Sequence, residues 1–168
     1  MSDKGLDRDK IEKKLWKHIE QHRFGMLGVA GGAPKHMAPM TAFHDKDSHT
    51  LWFYGDRNTD LAKDIGEDGH AGMFCFIDHE HGVYACLGGD LSLSHDQGRI
   101  DKHWSPMVSA WYPEGKDDAK LVLFRFDVVD AQVWIAENGP VKFAYEIAKA
   151  NLTKSQPDEG EKAHLRFQ

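Results

Sequence analysis

Ala71-Gly72-Met73-Phe74-Cys75-Phe76-Ile77, followed after a polar connection by Val83-Tyr84-Ala85-Cys86-Leu87-Gly88-Gly89-Asp90-Leu91-Ser92-Leu93, reads as two neighbouring strands. Both runs are mainly apolar, and residues 78–82 between them are polar and end in glycine, a turn signal. Upstream, Gly31-Gly32-Ala33-Pro34 separates runs at 26–30 and 36–43, which predicts a hairpin. Asp45-Lys46-Asp47-Ser48 is a second turn, and a strand at 50–54 follows it. Downstream, 121–129 is a strand with one fully buried end, and Trp134 lies just beyond it.

Helical patterns are inserted between these strands without alternating with them. Asp9 and Glu12 offer an Asp variant of the capping box for a helix with Ile11, Leu15 and Ile19 on one face, widened by Trp16 and stopping near His22. Asn58 or Thr59 can cap a short helix carrying Leu61, Ala62 and Ile65. A further helical stretch is expected near 96–104, and Pro140 opens a helix with Phe143, Ile147 and Leu152 on one side. Many short strands with added helices predict a mainly β fold, an antiparallel barrel. Residues 1–152 form a single domain in this reading, and 153–168 are a polar C-terminal tail expected to fray.

The 168 residues suffice for one domain with a substantial core, and 40% hydrophobic content requires no covalent staple. A net charge of -6 argues against nucleic acid and anionic membrane as partners, because phosphate surfaces need a basic footprint. No apolar stretch approaches the roughly 20 residues of a membrane helix. The charged start lacks a signal-peptide apolar region, so a cytoplasmic location is expected. In that reducing setting Cys75 and Cys86 are expected to be structural thiols, although their strands could set them face to face.

Eleven histidines raise the question of a metal. The closest pair, His79-x-His81, lies in a turn, and no Cys or carboxylate cluster completes a tetrahedral set in the sequence. The expectation is scattered surface histidines and no metal. The glycines match neither G-x-G-x-x-G between strand and helix nor a P-loop, and G-x-S-x-G is absent, which speaks against Rossmann, kinase and hydrolase chemistry. Aromatic density marks three places: Leu51-Trp52-Phe53-Tyr54, then His103-Trp104-Ser105-Pro106 with Ala110-Trp111-Tyr112-Pro113, and finally Gln132-Val133-Trp134. Tryptophans sit more often in cores and interfaces than in ligand sites, so the residues by themselves imply a β-barrel with a Trp-rich surface or cleft.

The order and spacing of these segments resembles the general stress protein branch of the pyridoxamine 5'-phosphate oxidase-like, FMN-binding split barrels, over about residues 11–152. Its most specific portion runs from Trp104-Ser105-Pro106 through Ala110-Trp111-Tyr112-Pro113-Glu114-Gly115-Lys116-Asp117-Asp118 to the strand ending at Trp134. The resemblance implies a six-stranded antiparallel split barrel, a homodimer, and FMN in clefts built by both subunits. It further implies an FMN-dependent oxidoreductase with a stress-linked role, without pyridoxamine oxidase activity as such. Ala38, Pro39, Met40 and Thr41 are similar to the family segment running beside the flavin ring. Tyr54 and Gly55 resemble the strand end that meets ribityl and phosphate, and Thr59 resembles a phosphate contact. Trp134 resembles a Trp near the flavin, and Trp104 one that walls the cleft.

Three positions depart from the family pattern. Ala38 stands where an Arg usually precedes Pro-Met, Leu61 where a Lys usually follows the Ser/Thr, and Asp60 where the oxidases often carry an Arg. A buried phosphate needs charge-assisted donors, so FMN binding is expected to be weak or lost, with Arg57 compensating in part. The alternative is a dimeric, non-enzymatic ligand-binding barrel. No residue stands out as a catalytic acid or base.

Overall fold

A computed structural model describes residues 3–136, 140–157 and 160–167. Eight strands form one sheet: β1 (Phe24–Val29), β2 (Ala38–Thr41), β3 (Phe43–Asp45), β4 (Thr50–Asp56), β5 (His70–Asp78), β6 (Val83–Ser94), β7 (Leu121–Ile135) and β8 (Glu161–Arg166). The order is β2-β1-β5-β6-β7-β4-β3, every pairing is antiparallel, and β8 adds to β7. The strands at the two ends of this path, β2 and β3, are separated in sequence by Ala42 alone, and β2 approaches β4. The chain itself therefore joins the ends and curls the sheet into a partly open barrel. The expected six strands become eight because the single strand at 36–43 bends into β2 and β3, and because β8 is added.

β7 is the spine. One of its edges pairs with β6 along almost its whole length, and the other is shared by β4 up to Asp127 and by β8 from Asp130. The register shifts where Gly88 faces Asp130 and Gly89 faces Val128, leaving Val129 as an extra residue that points outward. Such a bulge bends the strand, letting one strand serve two neighbours in succession. Trp134 therefore lies within β7 and not beyond it.

The core follows from period-two alternation. Phe74 and Phe76 of β5, Leu87 and Leu91 of β6, and Phe124 and Phe126 of β7 are at most 1% exposed. Helix α1 (Asp3–His22) adds Ile11, Leu15, Trp16 and Ile19 to this cluster. It begins before Asp9, so Asp9 is an interior residue and not the expected cap. Helix α2 (Asp60–Ile65) is capped by Thr59 and α3 (Gln97–Lys102) by Asp96. Helix α4 (Pro106–Ser109) and α5 (Pro140–Thr153) follow, and a second cluster gathers Phe43, Trp52, Ile100, Val108, Tyr112, Leu121 and Leu123. Phe143, Ile147 and Leu152 of α5 remain exposed. No helix among the described residues is long and apolar enough to cross a membrane.

The expectation of a frayed tail is corrected. Glu161–Arg166 pairs with β7, and Ala163, Leu165 and Phe167 are buried. Three small or apolar residues at alternate positions suffice to fill the core face, while the polar residues between them stay in water. Composition averaged over the tail conceals that pattern.

Candidate functional site

Tyr54 and Trp104, fifty residues apart in sequence, are brought together at the end of β4. Their rings lie 6.0 Å apart at 69°, and Trp104 sits 6.0 Å from Tyr112. The intervening segment folds as it does for local reasons. The Ser105 hydroxyl accepts from the Val108 amide at 3.3 Å, and Pro106 occupies the first turn of α4, where its missing N–H costs nothing. The chain then presents Trp111, 73% exposed, to solvent. The Tyr54 hydroxyl donates to the Ile100 carbonyl at 2.6 Å, and burial pushes its acidity to about 12, so it is a neutral donor. Gly55 has no room for a side chain, because a Cβ would meet the Phe124 ring. Its carbonyl accepts from the Tyr112 hydroxyl at 2.9 Å.

His103, marked in the sequence only as part of an aromatic stretch and not as a site residue, belongs to this end of the barrel. Its ring stacks on Phe43 at 4.9 Å, and its Nε2 is buried with no hydrogen-bond partner. Burial, helped by the Lys102, Arg23 and Arg99 charges, lowers its pKa and favours a neutral imidazole. A buried imidazole nitrogen without a partner is uncommon, and a ligand reaches it only where the packing around Phe43 opens.

Ala38, Pro39, Met40 and Thr41 constitute β2, which pairs with β1 alone. Among the described residues, no strand pairs with its second edge. A Lys35–Asp64 ion pair at 3.1 Å holds the approach to β2 against α2. Thr59 sits at the start of α2, where its hydroxyl donates to the Asp56 carbonyl at 2.7 Å and accepts from the Ala62 amide at 3.3 Å. Leu61 is corrected as a candidate contact: its side chain is 6% exposed and packs in the core with Ala62 and Ile65. The alternation of a short helix on a sheet turns that position inward. Asp60 and Lys63 are the exposed neighbours, and Arg57 donates to the Leu121 carbonyl at 3.2 Å.

Trp134 is not part of this group within one chain. Tyr54 pairs with Leu123, and Trp134 lies eleven residues further along β7, roughly 35 Å of strand. There it pairs with Tyr84 and carries Lys162 over its ring at 5.4 Å. Around it, the outer sheet face exposes Phe24 and Met26 of β1, Met73 and Ile77 of β5, and the cross-strand pair Cys75 and Cys86, both half-buried and free. Burial, then the neighbouring Cys75, pushes the Cys86 thiol up to about 11. Two concavities of the chain, one between Arg8 and His164 and one between Trp16 and His49, are lined by none of the ten candidate residues.

The histidines are less scattered than expected. His79 bonds the Tyr84 hydroxyl at 2.8 Å, but His81 turns away from it to meet His18, His22 and Asp78. The H-x-x-x-H spacing of His18 and His22 at the end of α1 was the available signal, since residues four apart share a helix face.

Known proteins bear on this architecture. The family Pyridoxamine 5'-phosphate oxidase like matches residues 9–158. General stress protein 26 of Jannaschia sp. CCS1 is 35% identical, with a TM-score of 0.79 over 95% of this chain and 99% of that one. The general stress FMN/FAD binding protein of Xanthomonas citri is 32% identical, with a TM-score of 0.71 over 78% of this chain and 92% of that one. Protein bli-3 of Neurospora crassa is 22% identical over 61% of this chain, which spans about half of that protein's length, 53%. The FAD binding protein of Mycobacterium smegmatis, 14% identical with a TM-score of 0.54 over 76% of this chain and 96% of that one, shares the fold. With the match covering most of its length, and the curled antiparallel barrel in agreement, this chain belongs to the pyridoxamine 5'-phosphate oxidase like family.

Proposed function

We propose that this protein is a cytoplasmic, flavin-binding, oxidoreductase-type stress protein that works as a homodimer, with FMN in clefts shared by the two protomers. The observation that carries the reading is the separation of Tyr54 and Trp104 from Trp134 along β7. Residues that would serve one flavin lie at opposite ends of one barrel, and a two-fold operation brings one protomer's Trp104 end to its partner's Trp134 end. The exposed apolar face carrying Met26, Met73 and Ile77 supplies a surface for that contact. The name of the Xanthomonas citri relative, an FMN/FAD binding protein, supports the same cofactor class here.

The residues present fit the ring system better than the phosphate. The free edge of β2 can meet polar ring atoms through the backbone of Thr41 and the carbonyl of Pro39, which brings no N–H, while the backbone groups of Ala38 and Met40 face β1. Trp104, with Tyr54 beside it, walls the ring. At the phosphate end Ala38 and Leu61 bring no charge and Asp60 brings the wrong one, leaving Arg57 and the exposed Lys63 of α2 as nearby cations. A bound flavin supplies hydride or electron transfer, while the chain positions it and excludes water. The test is an absorbance and fluorescence titration of the purified protein with FMN and riboflavin. Saturation at one flavin per chain is expected, and failure to bind either ligand overturns the cofactor.

A second reading, a non-enzymatic dimeric binding protein, is favoured by one observation. Two ionisable side chains at the Trp104 end, Tyr54 and Tyr112, are held neutral by burial, and burial also favours the neutral form of His103. Flavin that binds but is not reduced by NADH or NADPH and not reoxidised by quinone acceptors selects this second reading.

A further inference from the structure

We propose that His18, His22, Asp78 and His81 form a binding site for one zinc-class divalent metal ion, which clamps the end of α1 to the β5–β6 turn. This site is separate from the flavin reading and does not depend on it.

Two chain segments supply the donors. His18 and His22, four residues apart on α1, present rings 6.0 Å apart and nearly parallel at 14°. Asp78 is the last residue of β5, where the inward alternation of Phe74 and Phe76 would place another apolar side chain. Its carboxylate is 3% exposed. His81 follows three residues later in a turn closed by Gly82, whose φ of 67° suits glycine. The His81 amide donates to Asp78 Oδ1 at 3.2 Å, so the backbone itself holds the carboxylate in position.

The donor atoms converge. Asp78 Oδ2 lies 2.6 Å from His18 Nδ1, 3.2 Å from His22 Nε2 and 3.0 Å from His81 Nδ1. All four ligand atoms fall within 4.8 Å of one another. A tetrahedral ion with bonds of 2.0–2.1 Å places its ligands about 3.3 Å apart, so small rotations of the rings complete the set. His81 Nδ1 also lies 3.0 Å from Asp78 Oδ1, so without an ion the carboxylate accepts from the imidazoles across both of its oxygens, and a bound ion replaces those hydrogen bonds. Among the described residues, no Lys or Arg pairs with Asp78; its ion partners are three imidazoles. Burial works against ionisation of Asp78, and the bonds from His18 and His81 overcome it, keeping the carboxyl below its ordinary range and anionic.

The chemistry selects the ion. Three imidazoles and one carboxylate, without thiolate, suit zinc and its first-row neighbours, whereas calcium and magnesium require oxygen-rich sets. Four protein ligands leave no open position, which is the pattern of a structural site and not of a catalytic one. The half-exposed His22 and His81 rings, 38% and 45%, give the ion a way in past the buried His18–Asp78 pair.

The test uses the full, untagged chain stripped with chelator. Calorimetric titration with Zn2+ is expected to show one ion per chain, and Co2+ to give the intense visible absorption of tetrahedral coordination. Zn2+ is also expected to raise the melting temperature. His22→Ala and His81→Ala, chosen because both rings are half-exposed, should each weaken Zn2+ by more than the 10- to 100-fold typical of losing an outer-shell partner. His79→Ala, two residues from His81 but outside the cluster, should keep wild-type affinity. Circular dichroism of each variant separates metal loss from unfolding. Absence of stoichiometric Zn2+ binding by the wild-type chain overturns the proposal. So does retention of wild-type affinity in His22→Ala and His81→Ala, or an equal loss in His79→Ala.

Discussion

The hydroxyl of Tyr112 donates to the carbonyl of Gly55 at 2.9 Å, across a buried contact that ties the loop after α4 to the end of β4. Together with the Tyr54 hydroxyl bond to the Ile100 carbonyl, it holds the Trp104 wall against the strand end where Tyr54 sits. Tyr112→Phe keeps the ring and leaves a buried carbonyl unpaired, which should cost about 1–3 kcal/mol in urea unfolding. Flavin affinity should fall with it, because the wall loses one of these two bonds. An unchanged unfolding midpoint would mean the carbonyl is satisfied in another way.

Assembly is tested on the outer sheet face. Light scattering should report twice the 19.0 kDa chain mass at micromolar concentration. Ile77→Glu, at a 64% exposed position of β5, should shift the protein to monomer with little effect on the fold, since it leaves the core untouched. A clean monomer in the wild-type protein would refute the shared cleft.

Phosphate recognition can be isolated by comparing FMN with riboflavin. The wild-type protein should separate the two poorly. Ala38→Arg combined with Asp60→Lys should strengthen FMN and leave riboflavin nearly unchanged, each charged contact contributing about 1–3 kcal/mol, about ten- to hundredfold in affinity. Leu61→Lys is the wrong replacement, since it buries an ammonium in the core and should destabilise the fold. Tight FMN binding by the unmodified chain would show that Arg57 or another donor suffices.

Asp45 makes a pH-dependent contribution. Its carboxylate lies 2.7 Å from Arg99 and 3.6 Å from Lys102, fastening β3 to α3. Burial opposes its charge, but the two cations outweigh that and hold its pKa below 3.8. The unfolded chain therefore takes up this proton first as acid is added. The stabilisation is fully present above pH 3.8 and disappears as pH falls through the lower folded value. Asp45→Asn should cost about 1–3 kcal/mol at pH 7, and the gap to wild type should narrow in unfolding curves taken near pH 3.

Cys86 should be a sluggish nucleophile. With its pKa raised from 9.0 to about 11, its thiolate at pH 8 is roughly a hundredfold scarcer than that of a free thiol. Site-resolved mass spectrometry after brief iodoacetamide treatment should find Cys86 largely unmodified in the native protein and modified in urea. Rapid native alkylation would contradict the burial of this cross-strand pair.

The elements legible in the sequence were those with a strong local signal. β5 and β6 show as apolar runs around a polar turn, α2 as a capped apolar triplet, and α1 as Ile11, Leu15 and Ile19 on one face. β8 was not legible, because Ala163, Leu165 and Phe167 are three alternate positions in a charged segment, too few to stand out until β7 is there to receive them.

The sites divide along the same line. The resemblance to the family, and not residue spacing, singled out Ala38–Thr41, Tyr54 and Trp104; the structure places Ala38–Thr41 in β2 and brings the Tyr54 and Trp104 rings together. Leu61 was legible as part of the apolar triplet of α2, and only the resemblance made it a cofactor contact; local spacing could not tell that Trp134 sits roughly 35 Å of strand from the partner of Tyr54, or that His18 and His22 meet Asp78 and His81. Each of those depends on sheet register and on how helices dock, and these are set by burying the whole apolar surface at once. Local periodicity determines which side of an element is apolar; only the closed sheet decides what that side, and the polar side opposite it, will touch.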